Sequence, residues 1–152
     1  MSLDLPQDFI RNIRQSFGPD GEKWLAELPS LLTQASTRWD LELGEPLLLS
    51  YNYVCAATLK DGTEAVFKIG LPNRETTSEI TTLRLYNGQG ACRILEADAE
   101  KGMLLLERLR PGIMLTALKD DDQATGIAAE VMKNIHCPVP QPEGFISLRD
   151  WF

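Results

Sequence analysis

The stretch "AVFKIG", Ala65–Gly70, sets Lys68 inside a short apolar run, and the segment after it carries Glu75 and Glu79. An ammonium is costly to bury unless a carboxylate accompanies it. If the run is a strand, alternation puts Val66, Lys68 and Gly70 on one face and Ala65, Phe67 and Ile69 on the other. Lys68 then points away from the core. Taken alone, a solvated surface lysine is the commoner outcome, but the two glutamates weigh against it. They lie one turn apart if their segment is helical. Glu79 shares its stripe with Leu83 and Tyr86 and neighbours Ile80, so it sits at the edge of the apolar face. A carboxylate there can meet a sheet lysine and hold it toward an anionic ligand; Glu75 is the weaker candidate.

The elements around this pair follow from periodicity. Phe9, Ile10, Ile13 and Phe17 recur at helical spacing from Pro6 to Phe17, closed by Gly18-Pro19. A second helix fits Glu22 to about Thr37, with Pro29 as a candidate kink. "WDLELGEPLLLS" alternates around a Gly44 break, as a strand with a bulge does. "YVCAATL" and "EAVFKIG" are strands joined by the tight turn "KDGT", and a helix runs from about Asn73 to Tyr86. "ACRILEAD" and "GMLLLERL" form two more strands around a turn near Glu100–Gly102. A helix from about Asp120 to Ile135 and a proline-rich tail complete the chain. Hairpins rather than helical crossovers join the strands, so the expected class is α+β, with five antiparallel strands and one packed helix.

A strand lysine, a helix glutamate eleven positions later and an apolar strand entering a polar turn are the parts with which protein-kinase-like folds hold ATP. The lysine contacts the α- and β-phosphates and the glutamate orients it. The strand "GMLLLERLRPG" is then the hinge, where backbone groups of Glu107, Arg108 and Leu109 meet the purine. The side chains of Glu107 and Arg108 also read as a plain solvated connector.

The combination of "SYNYV", "DGTEAVFKIGLP", "GQGACRILEAD" and "GMLLLERLRPG" resembles the N-terminal part of aminoglycoside phosphotransferases, most closely the aminoglycoside/hydroxyurea antibiotic-resistance kinases. The resemblance implies a kinase-like N-lobe that uses ATP and magnesium to phosphorylate a hydroxyl of a small cationic, streptomycin-like aminoglycoside. By position it makes Lys68 the phosphate contact and Glu79 its partner, with Ser50 to Tyr53 as the loop over the phosphates. That loop has no glycine, so Ser50 or Asn52 would substitute with side chains; both also read as ordinary turn residues. The implied division is 1–38 as a helical extension, 39–109 as the ATP-binding N-lobe and 110–152 as the hinge exit and the start of a C-lobe.

The family takes its catalytic acid and magnesium ligands from an HGDxHxxN-type loop and a later aspartate. Here the single histidine, His136, precedes Cys137-Pro138, and no His-Gly-Asp triplet occurs. Asp120–Asp122 read as a helix cap, and Asp150 has no asparagine after it. The expectation is a truncated, catalytically incomplete chain. Its apolar Ile127, Val131, Ile135, Phe145, Trp151 and Phe152 would then lie exposed and favour self-association. A stand-alone nucleotide-binding or regulatory module is the alternative; a small α+β domain whose surface lysine has no ligand is the plainest reading.

Composition narrows the classes. A net charge of −7 over 152 residues argues against nucleic acid or an anionic membrane as the main partner. Three widely spaced cysteines without a CxxC pair point to neither a disulfide framework nor zinc, which fits a cytoplasmic location. No GxSxG or Cys/His signature supports hydrolase chemistry.

Overall fold

The computed structural model describes residues 3–141 and 143–150. The first helix, α1, spans Gln7–Trp39 and leaves helical geometry only at Gly18, where φ is 54° and ψ −132°. The two expected helices therefore abut at one glycine kink. A positive φ is cheap there only because glycine has no Cβ. Pro29 stays within helical geometry and does not break the helix.

Strands β1 (Leu41–Pro46), β2 (Tyr53–Leu59) and β3 (Glu64–Ile69) precede α2 (Arg74–Tyr86); β4 (Ile94–Asp98), β5 (Met103–Glu107) and α3 (Asp121–Ile135) follow it. The five strands form one antiparallel sheet in the order β1-β2-β3-β5-β4. Its register slips between Leu43 and Pro46, at the Gly44 break. In the β2–β3 turn the Asp61 carboxylate accepts from the Thr63 N–H at 2.9 Å, and Gly62 takes a φ of 84°.

Burial follows the strand period. Tyr53, Cys55 and Ala57 of β2, Ala65, Phe67 and Ile69 of β3, and Met103 and Leu105 of β5 form one buried cluster with Phe9, Ile13, Trp24, Leu28, Leu32 and Ala35 of α1. Helix α1 thus covers one face of the sheet, and the Phe67 ring meets Trp39 edge-on at 6.1 Å. An ion pair between Arg38 and Asp98 ties the end of α1 to the far strand β4. The other face carries Lys68 and is covered at its β4 side by α2, whose Ile80 is buried.

Helix α3 buries no side chain: Ile127, Val131 and Met132 are 42%, 39% and 53% exposed. Ile135 and Phe145, expected to be exposed, are instead half-buried. The end of α3 packs on the Gly90 turn, where an added Cβ would lie 2.9 Å from Ile135. Beside Phe145, the Ile146 N–H donates to Ser78 Oγ on α2 at 3.1 Å. Trp151 and Phe152 lie outside the described residues.

Candidate functional site

Strand β3 is hydrogen-bonded on both sides, pairing Lys68 with Val54 of β2 and Leu104 of β5. Cross-strand partners share a face, so Lys68 stands among Val54, Ala56, Val66, Leu104 and Leu106. Of these only Leu104 is fully buried; the others are half-buried on the face that α1 does not cover.

Helix α2 brings the carboxylate. Asn73 caps it, its side chain accepting from the Thr76 N–H at 2.9 Å. Buried Thr76 and Ile80 fix which side faces the sheet. Glu79, next to Ile80, therefore lies inward, whereas Glu75 is exposed. Lys68 Nζ donates to Glu79 Oε1 at 2.6 Å and Oε2 at 2.7 Å. The two side chains are 21% and 35% exposed. The ammonium is held by both carboxylate oxygens yet still reaches solvent. Such a group can contact an anion without the cost of burying an unpaired charge.

The half-buried thiol of Cys92 borders this pair. Burial pushes it up, its own backbone N–H pulls it down, and the Glu107 and Glu79 carboxylates raise it while Lys68 opposes them. In the sequence Cys92 reads only as one of three widely spaced cysteines. Its nearness depends on β4 lying outside β5, which no local pattern announces.

The end of β3 is tightly packed. The Gly70 N–H donates to the Gly102 carbonyl at 3.1 Å. A Cβ on Gly102, whose φ is 67°, would sit 2.2 Å from the Gly70 carbonyl oxygen. Asn52 lies against Gly70, where an added Cβ would come within 2.1 Å of its Oδ1. Ser50 is placed differently: its carbonyl accepts from Asn12 Nδ2 of α1 at 3.3 Å. The Tyr53 side chain lies on the α1 face, opposite Lys68, so only the part of the loop before it is available to cover an anion there.

At the end of β5, Glu107 is more than a solvated connector. Its N–H donates to the Arg93 carbonyl at 2.9 Å. Its carboxylate accepts from the Arg93 N–H at 3.1 Å and from the guanidinium at 3.3 and 3.4 Å. These bonds, the backbone one first, hold the carboxyl below its ordinary range. Arg108 is half-exposed and Leu109 is 58% exposed. Arg110 then returns to the sheet, its guanidinium donating to both oxygens of Glu64 at 2.6 Å. Both ends of the Glu107–Arg110 connector are therefore anchored by ion pairs, and the backbone between them crosses the sheet edge at the surface.

The chain is similar in sequence to known proteins. Residues 41–152 match the family described as aminoglycoside/hydroxyurea antibiotic resistance kinase. Streptomycin 6-kinase of Streptomyces glaucescens is 35% identical over 149 residues, covering 97% of this chain and 48% of its own length. The enzyme of the same name from Streptomyces griseus is 33% identical, covering 96% and 48%. Hydroxyurea phosphotransferase of Kitasatospora aureofaciens is 30% identical, covering 96% and 44%. The chain thus spans about half the length of the curated relatives it matches. With the family matched over residues 41–152 and relatives aligned along almost all of the chain, this protein belongs to the aminoglycoside/hydroxyurea antibiotic resistance kinases.

Proposed function

We propose that this chain supplies the nucleotide-holding half of an ATP-dependent phosphotransferase acting on a hydroxyl of a streptomycin-like aminoglycoside. The observation that carries the reading is the Lys68–Glu79 pair, bidentate and partly exposed on the uncovered face of the sheet. In this reading Lys68 Nζ meets the nucleotide phosphates and Glu79 fixes its position. The half-buried Val54, Ala56 and Val66 offer apolar surface beside it for a flat base. The surface backbone of Arg108 and Leu109 offers hydrogen bonds at the base's edge, and Asn52 closes the loop near the phosphates. ATP thus fits the residues present. Magnesium would neutralise phosphate charge during transfer. The described residues gather no group of three His, Cys, Asp or Glu side chains able to hold a metal. We place its protein ligands in the half of the relatives' length that this chain does not span.

The same division assigns the catalytic base elsewhere, since the sequence has no His-Gly-Asp triplet. The chain alone then binds ATP without transferring phosphate. Incubation with radiolabelled ATP and streptomycin is expected to give no labelled streptomycin; labelled product would overturn the half-site reading. A chimaera joining this chain to the C-terminal half of the Streptomyces glaucescens enzyme tests the acceptor. It is expected to label streptomycin. A chimaera that binds ATP and labels no aminoglycoside would refute the substrate.

The class of the relatives and the reduced-thiol composition support a cytoplasmic location; no helix among the described residues is long and apolar enough to cross a membrane. The exposed stripe of Ile127, Val131 and Met132 supports self-association of the isolated chain through α3. Light scattering at high micromolar concentration is expected to show dimers or larger species, and a monodisperse monomer would refute it.

A further inference from the structure

Helix α2 carries Glu79 on thin support. Of its 13 residues it buries Thr76 and Ile80, and a helix of that length is marginal on its own in water. Ser78 stands roughly 160° round the helix from Ile80 at 3.6 residues per turn, on the side away from the sheet. It is half-buried all the same. Residues 144–150 supply the cover.

Arg74, Ser78 and Thr81 recur at i, i+4 and i+7, which is one stripe of the helix, and each meets the chain after α3. An added Cβ on Gly144, whose φ is 91°, would lie 3.2 Å from Thr81 Oγ1. The Ile146 N–H donates to Ser78 Oγ at 3.1 Å. The Arg74 guanidinium donates at 3.0 Å to the Asp150 carboxylate, which also accepts from the Ser147 N–H at 2.8 Å. Residues 144–150 therefore run antiparallel to α2 along about two of its turns, with Phe145 and Ile146 half-buried. Helix α2 is held between the sheet and this strap, and Glu79 projects from the flank between them.

We propose that the strap sets the position of α2 against Lys68 and that Ser78 is a positioning residue for the Lys68–Glu79 pair. Its consequence for a nucleotide rests on the function proposed above; its hold on Glu79 does not. Ser78 outweighs Arg74 here. Its bond is part-buried, whereas the Arg74–Asp150 pair, with the arginine 67% exposed, is a surface ion pair of little net weight. With the Ser78 bond lost, α2 keeps its Asn73 cap and Ile80 but is fixed on one side only. Glu79 then leaves Lys68 for part of the time, and affinity for a phosphate ligand falls in proportion to the fraction still paired.

A double-mutant cycle between Lys68→Met and Glu79→Gln in urea tests the hold on Glu79 without ligand. Run in the full chain and again with Ser78→Ala, its coupling, about 5–30-fold in the unfolding equilibrium, should fall by at least about twofold. Unchanged coupling would overturn the proposal. Mg-ATP titration by amide chemical shifts tests the consequence. Ser78→Ala should weaken binding about fivefold, the equivalent of one neutral hydrogen bond, and Ser78→Thr, which keeps the hydroxyl acceptor, should restore it. In Lys68→Met the same Ser78→Ala should change affinity by less than about twofold; an equal loss in both backgrounds would mean a merely structural role and overturn the proposal. If the wild type binds no ATP, the proposed function fails, and the ligand-free cycle still decides whether the strap holds Glu79.

Discussion

Breaking the Lys68–Glu79 pair offers a quantitative check that needs no ligand. Glu79→Gln keeps the size of the side chain and removes its charge; Lys68→Met keeps the stem and removes the ammonium. A fully exposed ion pair couples by about 0.2–1 kcal/mol, while leaving a buried charge without its partner costs about 3–5 kcal/mol. This pair lies between those limits, with 21% and 35% of its side chains exposed and both oxygens engaged at 2.6 and 2.7 Å. A coupling of about 1–2 kcal/mol follows. The assay is a double-mutant cycle in urea at neutral pH, comparing both single variants with the double variant. Additive effects, with a coupling below about 0.5 kcal/mol, would refute the bidentate geometry and return Lys68 to the status of a solvated surface residue.

Three further outcomes are expected. Phe67 is fully buried against Trp39 at the centre of the α1–sheet core, so Phe67→Ala should cost about 3–5 kcal/mol in urea unfolding; a loss under about 1 kcal/mol would mean that α1 does not share that core. Gly102→Ala should destabilise far more than Gly62→Ala. Both glycines have positive φ, but a Cβ at 102 would meet the Gly70 carbonyl at 2.2 Å while that at 62 meets nothing within 4 Å; equal melting temperatures would contradict the close packing at the end of β3. Glu64 and Glu107 are held below their ordinary value of 4.5, chiefly by the Arg110 side-chain hydrogen bond and the Arg93 backbone N–H respectively. Their stabilising contribution is therefore complete above that pH and is lost as pH falls through the lowered values. Urea midpoints measured from pH 6 down to pH 3 should decline less steeply in Glu64→Gln/Glu107→Gln than in the wild type.

Much of this arrangement was legible in local pattern. Period-two burial in β3 placed Lys68 on the side away from Phe67, and helical spacing from Ile80 selected Glu79 over Glu75. The helix start near Asn73, the turn at Asp61-Gly62 and the slip at Gly44 are each written in a few consecutive residues. Other features depend on residues far apart in the chain or on which side of a strand or helix a residue falls. Glu107 reads as a solvated connector until Arg93, 14 positions away, is brought beside it by the β4–β5 pairing. The Arg110–Glu64 pair joins residues 46 apart. Tyr53 lies beside the loop residues Ser50 and Asn52 in sequence but faces α1, because the strand alternation that sends Val54 toward Lys68 sends Tyr53 the other way. Pro29 reads as a break, yet the kink falls at Gly18, where a backbone without Cβ reaches positive φ more cheaply. Ile135 looks like uncovered apolar surface until the end of α3 packs on the Gly90 turn, and Phe145 until the chain after α3 folds back onto α2.

The most direct test of the account is a Mg-ATP titration of this chain and of Lys68→Met, followed by amide chemical shifts on β3, α2 and the Arg108–Leu109 connector. Saturable binding centred on those elements, weakened about tenfold or more when the ammonium is lost, is the expected result. Equal binding by both proteins, or no saturation at millimolar ATP, would contradict the claim that Lys68 and Glu79 form the phosphate-holding part of a kinase site.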